Sequence, residues 1–197
     1  FRSDGSPGHK DMPVMVVIHG LGDTPENLGT LFHSSPFAAR IVLPRGPGRF
    51  GPGYSWFDVR VPVGSEDLAR LEKGVKNAAS TICKFIRTAN LKHKPIVTGF
   101  SQGGILSFAT AVTCPKDIAL SIPMSGLLPP GLFPESGKSI PPIRAIHGTQ
   151  DDLVPYRHAK STVDGLKARG VDVNLKTFSG ATHEINPLLP SQRRRGV

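Results

Sequence analysis

A serine lies at the centre of the pattern Gly-Phe-Ser-Gln-Gly over residues 99–103. An apolar, β-favouring run precedes the pattern at residues 96–98, and a helix-compatible run follows at 105–112. A serine in a tight turn between strand and helix is typical of a nucleophile elbow, in which the glycines let neighbouring backbone pass close. The free N–H groups and positive dipole end of the helix would then face a reacting oxygen. The pattern therefore predicts that Ser101 is a nucleophile.

Ser101 needs a base, because a serine hydroxyl is a weak nucleophile at neutral pH unless a neighbouring group accepts its proton. In an elbow architecture an acid and then a histidine follow the serine along the chain. Asp151, in a polar loop after a predicted strand, is the favoured acid, with Asp152 as the alternative. His183 lies in a turn-rich loop after another predicted strand and is the favoured base.

Four other histidines are expected to have no part in this chemistry. His158 also follows the acid, but it falls in a predicted helix over residues 156–169 and is expected on the surface of that helix. Surface positions are likewise expected for His9, His33 and His93.

Acyl transfer places negative charge on the substrate carbonyl oxygen, so fixed hydrogen-bond donors must face it. One donor is expected from the backbone N–H of Gln102, the residue after the serine. The second is expected from the backbone of Leu21, which lies between two glycines after the apolar strand 14–18. The same loop can be a plain strand-to-helix turn in which Asp23 or Thr24 caps the next helix, and both interpretations can hold together.

Five motifs in order resemble the phospholipase/carboxylesterase family of α/β-hydrolases, which includes acyl-protein thioesterases and small bacterial carboxylesterases. The resemblance implies activity on carboxylic esters or thioesters without a metal or organic cofactor. It also implies that Asp151 is the catalytic acid and that Leu21 and Gln102 supply the oxyanion donors. The motifs are His-Gly-Leu-Gly-Asp-Thr at 19–24, Ser-Trp-Phe-Asp at 55–58, Gly-Phe-Ser-Gln-Gly-Gly at 99–104, Asp-Asp-Leu-Val-Pro at 151–155, and His183.

The chain departs from the family pattern in three places. The segment 59–65 after Trp-Phe-Asp is short, so we expect an open, shallow acyl pocket. Leu127 stands where many members have a tryptophan, and we expect it to form part of the pocket wall. Pro187 and Pro190 prevent a helix after the catalytic histidine. Trp56 has two interpretations, a wall of the acyl pocket or a core aromatic.

Composition bounds the remaining possibilities. The 197 residues, 38% hydrophobic, predict one α/β domain over 1–197, with a polar segment at 1–11 and an irregular basic tail at 187–197. The basic residues behind the net charge of +9 are scattered along the chain, and the sequence contains no recognisable nucleic-acid-binding module. No run is long and apolar enough to span a membrane, and the N-terminal segment has no signal-peptide core, so we expect a cytoplasmic protein. The oligomeric state is left open.

Alternating strands and helices predict an α/β-hydrolase fold, a mostly parallel sheet with helices on both faces. The clearest helix spans 66–89, with Ser65 as its cap and one apolar face that includes Phe85. Cys83 and Cys114 are both expected within helices as buried free thiols, with a disulfide as the alternative. The predicted strands are 14–18, 40–43, 96–98, 119–124, 143–146 and 173–178.

These observations predict a serine carboxylesterase that hydrolyses small to medium acyl esters through Ser101, His183 and Asp151. An acyl-protein thioesterase or lysophospholipase acting on long acyl chains is the alternative within enzymes. A hydrolase fold that only binds ligands is the alternative outside enzymes.

Overall fold

The computed structural model describes residues 12–32 and 38–185. Six strands form a parallel sheet, and a separate antiparallel hairpin of two short strands lies between the second and third of them along the chain. The sheet strands are β1 (Val14–Ile18), β2 (Arg40–Val42), β5 (Ile96–Phe100), β6 (Leu120–Met124), β7 (Ile143–Gly148) and β8 (Val173–Phe178); the hairpin strands are β3 (Gly48–Phe50) and β4 (Gly53–Ser55). The sheet order is β2-β1-β5-β6-β7-β8.

All six predicted sheet strands are present, with ends that differ by at most two residues. The hairpin was not predicted, because residues 44–54 are rich in glycine and proline. Such composition favours a loop, whereas here it accommodates two three-residue strands joined by a turn at Gly51.

Within the described ranges, four α-helices connect the strands: α1 (Pro25–Gly29), α2 (Leu68–Thr88), α3 (Gln102–Thr113) and α4 (Tyr156–Lys167). A 3₁₀ turn over Ser65–Asp67 precedes α2. The prediction that Ser65 caps this helix is wrong. The carboxylate of Asp67 instead accepts a hydrogen bond from the Gly64 N–H at 3.2 Å, one turn earlier in the chain.

The amphipathic character predicted for α2 is confirmed, with one change in the buried face. Phe85 is 37% exposed, whereas its neighbour Ile86 is 5% exposed and packs in the core. The side chains that α2 buries follow spacings of one, three and four residues, as a helix against a sheet requires. They are Leu71, Val75, Ala78, Ala79, Ile82, Cys83 and Ile86.

Cys83 of α2 and Cys114, which follows α3, form a disulfide, so the expectation of two free thiols is wrong. Cys114 also lies just beyond α3 rather than within it. Helix α2 packs against α3, and the two sulfurs meet in the core with each residue at most 2% exposed. That proximity depends on how distant segments pack, which the local pattern around each cysteine does not contain.

Several expectations concern residues outside the described ranges: the polar segment 1–11 with His9, the position of His33, and the tail 187–197 with its two prolines. Within the described ranges, no helix has the length and hydrophobicity needed to cross a lipid bilayer.

Candidate active site

Ser101 occupies the turn between β5 and α3, with a φ of 57° and a ψ of −117°. Such a backbone conformation is unfavourable for a residue with a side chain and is typical of a functional turn. A Cβ on Gly103 would collide with the carbonyl oxygen of Ile18, and a Cβ on Gly99 would lie 2.6 Å from that same atom. The two glycines therefore let the start of α3 pack against the end of β1. The Ser101 N–H donates to Met124 O at 3.0 Å, which ties the turn to β6.

Asp151 and His183 are brought together although they lie 32 residues apart. His183 Nδ1 lies 2.9 Å from Asp151 Oδ1 and 2.8 Å from Oδ2. The Asp151 side chain is fully buried, and that of His183 is 10% exposed. Burial alone would raise the pKa of Asp151, but hydrogen bonds from His147, His183 and the Val154 N–H outweigh it and hold the pKa well below its usual range. Asp151 is therefore a carboxylate that accepts from the His183 ring.

The loop that carries His183 is held by the loop that carries Asp151. The Gln150 N–H donates to Ala181 O at 2.9 Å, and the Gly180 N–H donates to Thr149 Oγ1 at 3.0 Å. A side chain on Gly148 would collide with the Ala181 carbonyl, so the close approach of the two loops depends on that glycine. The loop of His183 is therefore supported by residues that precede His183 in the chain.

The side chains of Asp152 and His158, the alternatives to Asp151 and His183, make no hydrogen bond to this pair. Asp152 is exposed and faces solvent. The prediction that His158 lies on the helix surface is wrong, because it is 7% exposed and its Nε2 donates to Val63 O at 3.2 Å. Burial lowers the pKa of His158. This histidine anchors α4 to the segment before α2 rather than taking part in the site.

The loop after β1 is held against the hairpin. The Gly22 N–H donates to Tyr54 O at 2.8 Å, and the Tyr54 N–H donates to Asp23 O at 3.0 Å. Within the described part of the chain, the backbone N–H groups of Leu21 and Gln102 donate to no protein atom. Two uncommitted donors are what an oxyanion hole requires. Thr24 also caps α1 through a 3.1 Å hydrogen bond from the Asn27 N–H.

His19 and Trp56 brace this loop from below. The Gly46 N–H donates to His19 Nε2 at 3.0 Å, so the other ring nitrogen, Nδ1, is the donor to Gly20 O at 2.7 Å. Burial lowers the pKa of His19, which favours the neutral ring that this arrangement needs. The indole N–H of Trp56 donates to His19 O at 3.1 Å. His19 was not predicted to have a structural role. Its position directly after an apolar strand was the available signal that its side chain is buried.

The side chain of Gln102 has a structural role that the sequence analysis missed. Its Oε1 accepts from the Trp56 N–H at 3.0 Å, and its Nε2 donates to Phe57 O at 2.7 Å. The first residue of α3 thereby anchors the segment that follows the hairpin. The polar side chain in an otherwise apolar helix face was the signal for such a role.

A groove of about 850 Å³ opens beside Leu21 and Trp56 and runs along α2. Trp56 is only 7% exposed and lines the groove, so it is both a core residue and a groove wall. Leu127 is 1% exposed, packs in the hydrophobic core and is absent from the groove lining. Exposed side chains form the outer wall, among them Phe50, Asp58 and Arg60. The groove is therefore open to solvent along its length.

No group of three or more histidine, cysteine, aspartate or glutamate side chains within residues 12–32 and 38–185 has the arrangement of a metal site.

Residues 5–188 match the family described as Phospholipase/Carboxylesterase. Carboxylesterase SOBER1 of Arabidopsis thaliana is 32% identical over 193 residues, covering 87% of this chain and 83% of that protein. Acyl-protein thioesterase 1 of Gibberella zeae is 26% identical over 199 residues, covering 88% and 84%. The crystal structure of esterase PE8 matches with a TM-score of 0.75 at 25% identity, covering 88% of this chain and 86% of that one.

The parallel sheet, the serine elbow and the solved structure that resembles them define an α/β-hydrolase fold. The chain belongs to the phospholipase/carboxylesterase family and is a hydrolase of that family. The fold class and the family predicted from the sequence are confirmed.

Proposed function

We propose that this hydrolase is a serine carboxylesterase that cleaves esters of small to medium acyl chains. His183 accepts the proton from Ser101 Oγ as that oxygen bonds to the ester carbonyl carbon. The N–H groups of Leu21 and Gln102 stabilise the negative charge that develops on the carbonyl oxygen. His183 then protonates the leaving oxygen, the alcohol departs, and water hydrolyses the acyl-enzyme by the same route.

The observation that carries this proposal is the contact of His183 Nδ1 with both carboxylate oxygens of Asp151, at 2.8 and 2.9 Å. An ionised acceptor at Nδ1 fixes the proton on that nitrogen and leaves Nε2 free to accept a proton from a serine. The positive φ of Ser101 is a second, independent support, since strain of this kind concentrates at functional sites.

The open groove supports the preference for shorter acyl chains. Leu21 and Trp56 offer apolar contacts, whereas the exposed side chains of Arg49 and Arg60 also line the groove, and Ser101 and His183 lie outside its lining. A long acyl chain there would leave much of its surface in water, so each added CH₂ would gain little of the roughly 0.8 kcal/mol available on full burial. We assign Trp56 to the acyl-binding wall. A wall role for Leu127 stays a prediction, because the groove that supports Trp56 does not include it.

The test is hydrolysis of p-nitrophenyl esters from acetate to palmitate by the wild-type protein and by Ser101→Ala. We expect activity to peak at short to medium chains and kcat to fall by roughly 10⁶-fold in the variant. Circular dichroism controls for an intact fold. Wild-type turnover in Ser101→Ala would overturn the mechanism, and no serine-dependent activity on any ester would favour a protein that only binds ligands.

A long-chain acyl-protein thioesterase or lysophospholipase is the second candidate function. The similarity to acyl-protein thioesterase 1 of Gibberella zeae favours it. A peak at palmitate, or a preference for palmitoyl thioesters over the matched oxygen esters, would select this candidate over the first.

A single α/β-hydrolase domain and a cytoplasmic location complete the proposal. The Cys83–Cys114 disulfide offers a direct test of the location, because disulfides rarely persist in the reducing cytosol. If the protein is cytoplasmic, the disulfide should be reduced in cells, and acid quenching of intact cells followed by denaturation and alkylation should label both cysteines. Full protection from labelling would contradict that location.

A further inference from the structure

A second imidazole contacts the carboxylate of Asp151. His147, the penultimate residue of strand β7, is 1% exposed. Its Nε2 lies 2.8 Å from Val154 O and 3.3 Å from Asp151 Oδ2. Both of these atoms are acceptors, so Nε2 carries a proton; it donates to the Val154 carbonyl, and the carboxylate oxygen lies 3.3 Å from the same nitrogen.

Asp151 Oδ2 therefore lies between two imidazole rings, since His183 Nδ1 approaches it at 2.8 Å. The other oxygen, Oδ1, accepts from the N–H groups of Val154 at 2.8 Å and Leu153 at 3.2 Å. His147 and Val154 thus form a closed set of contacts around the carboxylate: the Val154 N–H donates to it, and the Val154 carbonyl orients the ring that also contacts it. The carboxylate has little freedom to rotate.

If its only role were to stabilise the fold, a histidine at position 147 would be an unfavourable choice. Its Nδ1 is buried and has no hydrogen-bond partner among the described residues. A buried polar atom without a partner destabilises the folded state, and an apolar side chain of similar size would avoid that penalty. The ring therefore fits a role in which its Nε2–H stabilises the ionised carboxylate of Asp151.

We propose that His147 is a positioning residue for Asp151, which it holds ionised and oriented toward His183. This inference rests on the proposed function, in which Asp151 fixes the tautomer of the base. His147 does not touch the substrate. Its effect reaches the reaction through one carboxylate oxygen that both rings share.

The variants that test this role differ in whether they keep a donor at the position of Nε2. His147→Gln keeps one, because the glutamine amide nitrogen reaches about as far as Nε2, whereas His147→Asn places its amide nitrogen at the level of Nδ1. His147→Leu removes all polarity. His158→Leu is the matched control, since His158 is also buried and donates from Nε2 to a carbonyl but makes no contact with Asp151.

We expect His147→Leu and His147→Asn to lower kcat by roughly 10- to 100-fold with KM little changed, because small misplacements of catalytic groups have effects of this size. The acid limb of the kcat/KM profile should move to higher pH in both variants, because Asp151 without this donor is a stronger acceptor for protonated His183. His147→Gln should restore most of the activity and the wild-type profile. The other titratable groups near His147 are Tyr156, at 6.2 Å between ring centroids, and His158, and both stay in place in these variants.

A readout without substrate separates this inference from the proposed function. The downfield proton resonance of the His183 Nδ1–H reports its hydrogen bond to Asp151 directly. We expect it in the wild type, His147→Gln and His158→Leu, and we expect it shifted or lost in His147→Leu and His147→Asn. An unchanged resonance and kcat in His147→Asn, or an equal loss in His158→Leu, would overturn the inference. If the resonance moves while no variant has esterase activity, the proposed function fails and the positioning role stands.

Discussion

Two sides of the candidate active site are held in place by different means. On the nucleophile side, the backbone of Gly99 and Gly103 packs against the end of β1 and that of Gly104 against the end of β6, and the absence of side chains makes these contacts possible. On the acid–base side, two loops at 148–154 and 179–183 are joined by hydrogen bonds and share the buried carboxylate of Asp151. Added volume should therefore damage both sides, at Gly103 and at Gly148, whereas changes in hydrogen-bonding side chains should damage chiefly the second.

The largest effect is expected on the acid–base side from Asp151→Asn. The amide can present an N–H to the His183 ring and favour the wrong tautomer, so kcat should fall by roughly 10⁴-fold. The measurement is kcat for the best p-nitrophenyl ester. Asp152→Asn is the matched control, because Asp152 is exposed and adjacent. A loss in Asp152→Asn with wild-type turnover in Asp151→Asn would assign the acid to the alternative residue.

On the nucleophile side, Cys83→Ala with Cys114→Ala should lower the free energy of unfolding by about 3–4 kcal/mol, as expected for a disulfide that spans 31 residues. Urea denaturation measures the change. The wild type in strong reductant should lose a similar amount, whereas kcat at 25 °C should stay near that of the wild type. A coincident fall in kcat would mean that the link also positions the elbow.

Gly103→Ala should cost about 1–3 kcal/mol, because its new methyl group would overlap the Ile18 carbonyl. The urea midpoint and kcat should both fall, since relieving the overlap moves the start of α3. Gly48→Ala is a useful comparison for stability, because its methyl group would lie 3.4 Å from Ser55 O, an ordinary contact. Equal stability of the two variants would contradict backbone packing at the elbow.

The smallest effect concerns the pH dependence of stability. Because its pKa is lowered in the folded protein, Asp151 contributes stability above its unfolded pKa of about 3.9 and loses it as the pH falls toward the folded value. Below about pH 4, the wild type should therefore lose unfolding free energy more steeply than Asp151→Asn. Parallel curves for the two proteins in urea titrations would mean that the carboxylate is not stabilised by the acid–base side.

The two sides also differ in how well the sequence predicts them. The elbow is encoded within a few consecutive residues, strand then Gly-x-Ser-x-Gly then helix, so local pattern predicts it well. Asp151 and His183 were predicted because chain order restricts the candidates, and the structure brings these two side chains together. On the acid–base side, the hydrogen bonds of Gln150 with Ala181 and of Gly180 with Thr149 join segments 31 residues apart. Local spacing carries no signal for those contacts, and the same limit explains the disulfide and the burial of His158.

Helix α2 contributes to the core and to the groove with adjacent faces, which share Leu71 and Ala78. Its buried face is fastened to α3 by packing and by a covalent bond, while its outer face presents Arg70, Lys73, Asn77 and Thr81 to the groove. Substitutions on the outer face should alter acyl selectivity without moving the elbow, because surface positions rarely change stability by more than about 0.5 kcal/mol. These outer-face positions are suitable for a mutant library in directed evolution of substrate scope, because the position of the nucleophile should not change.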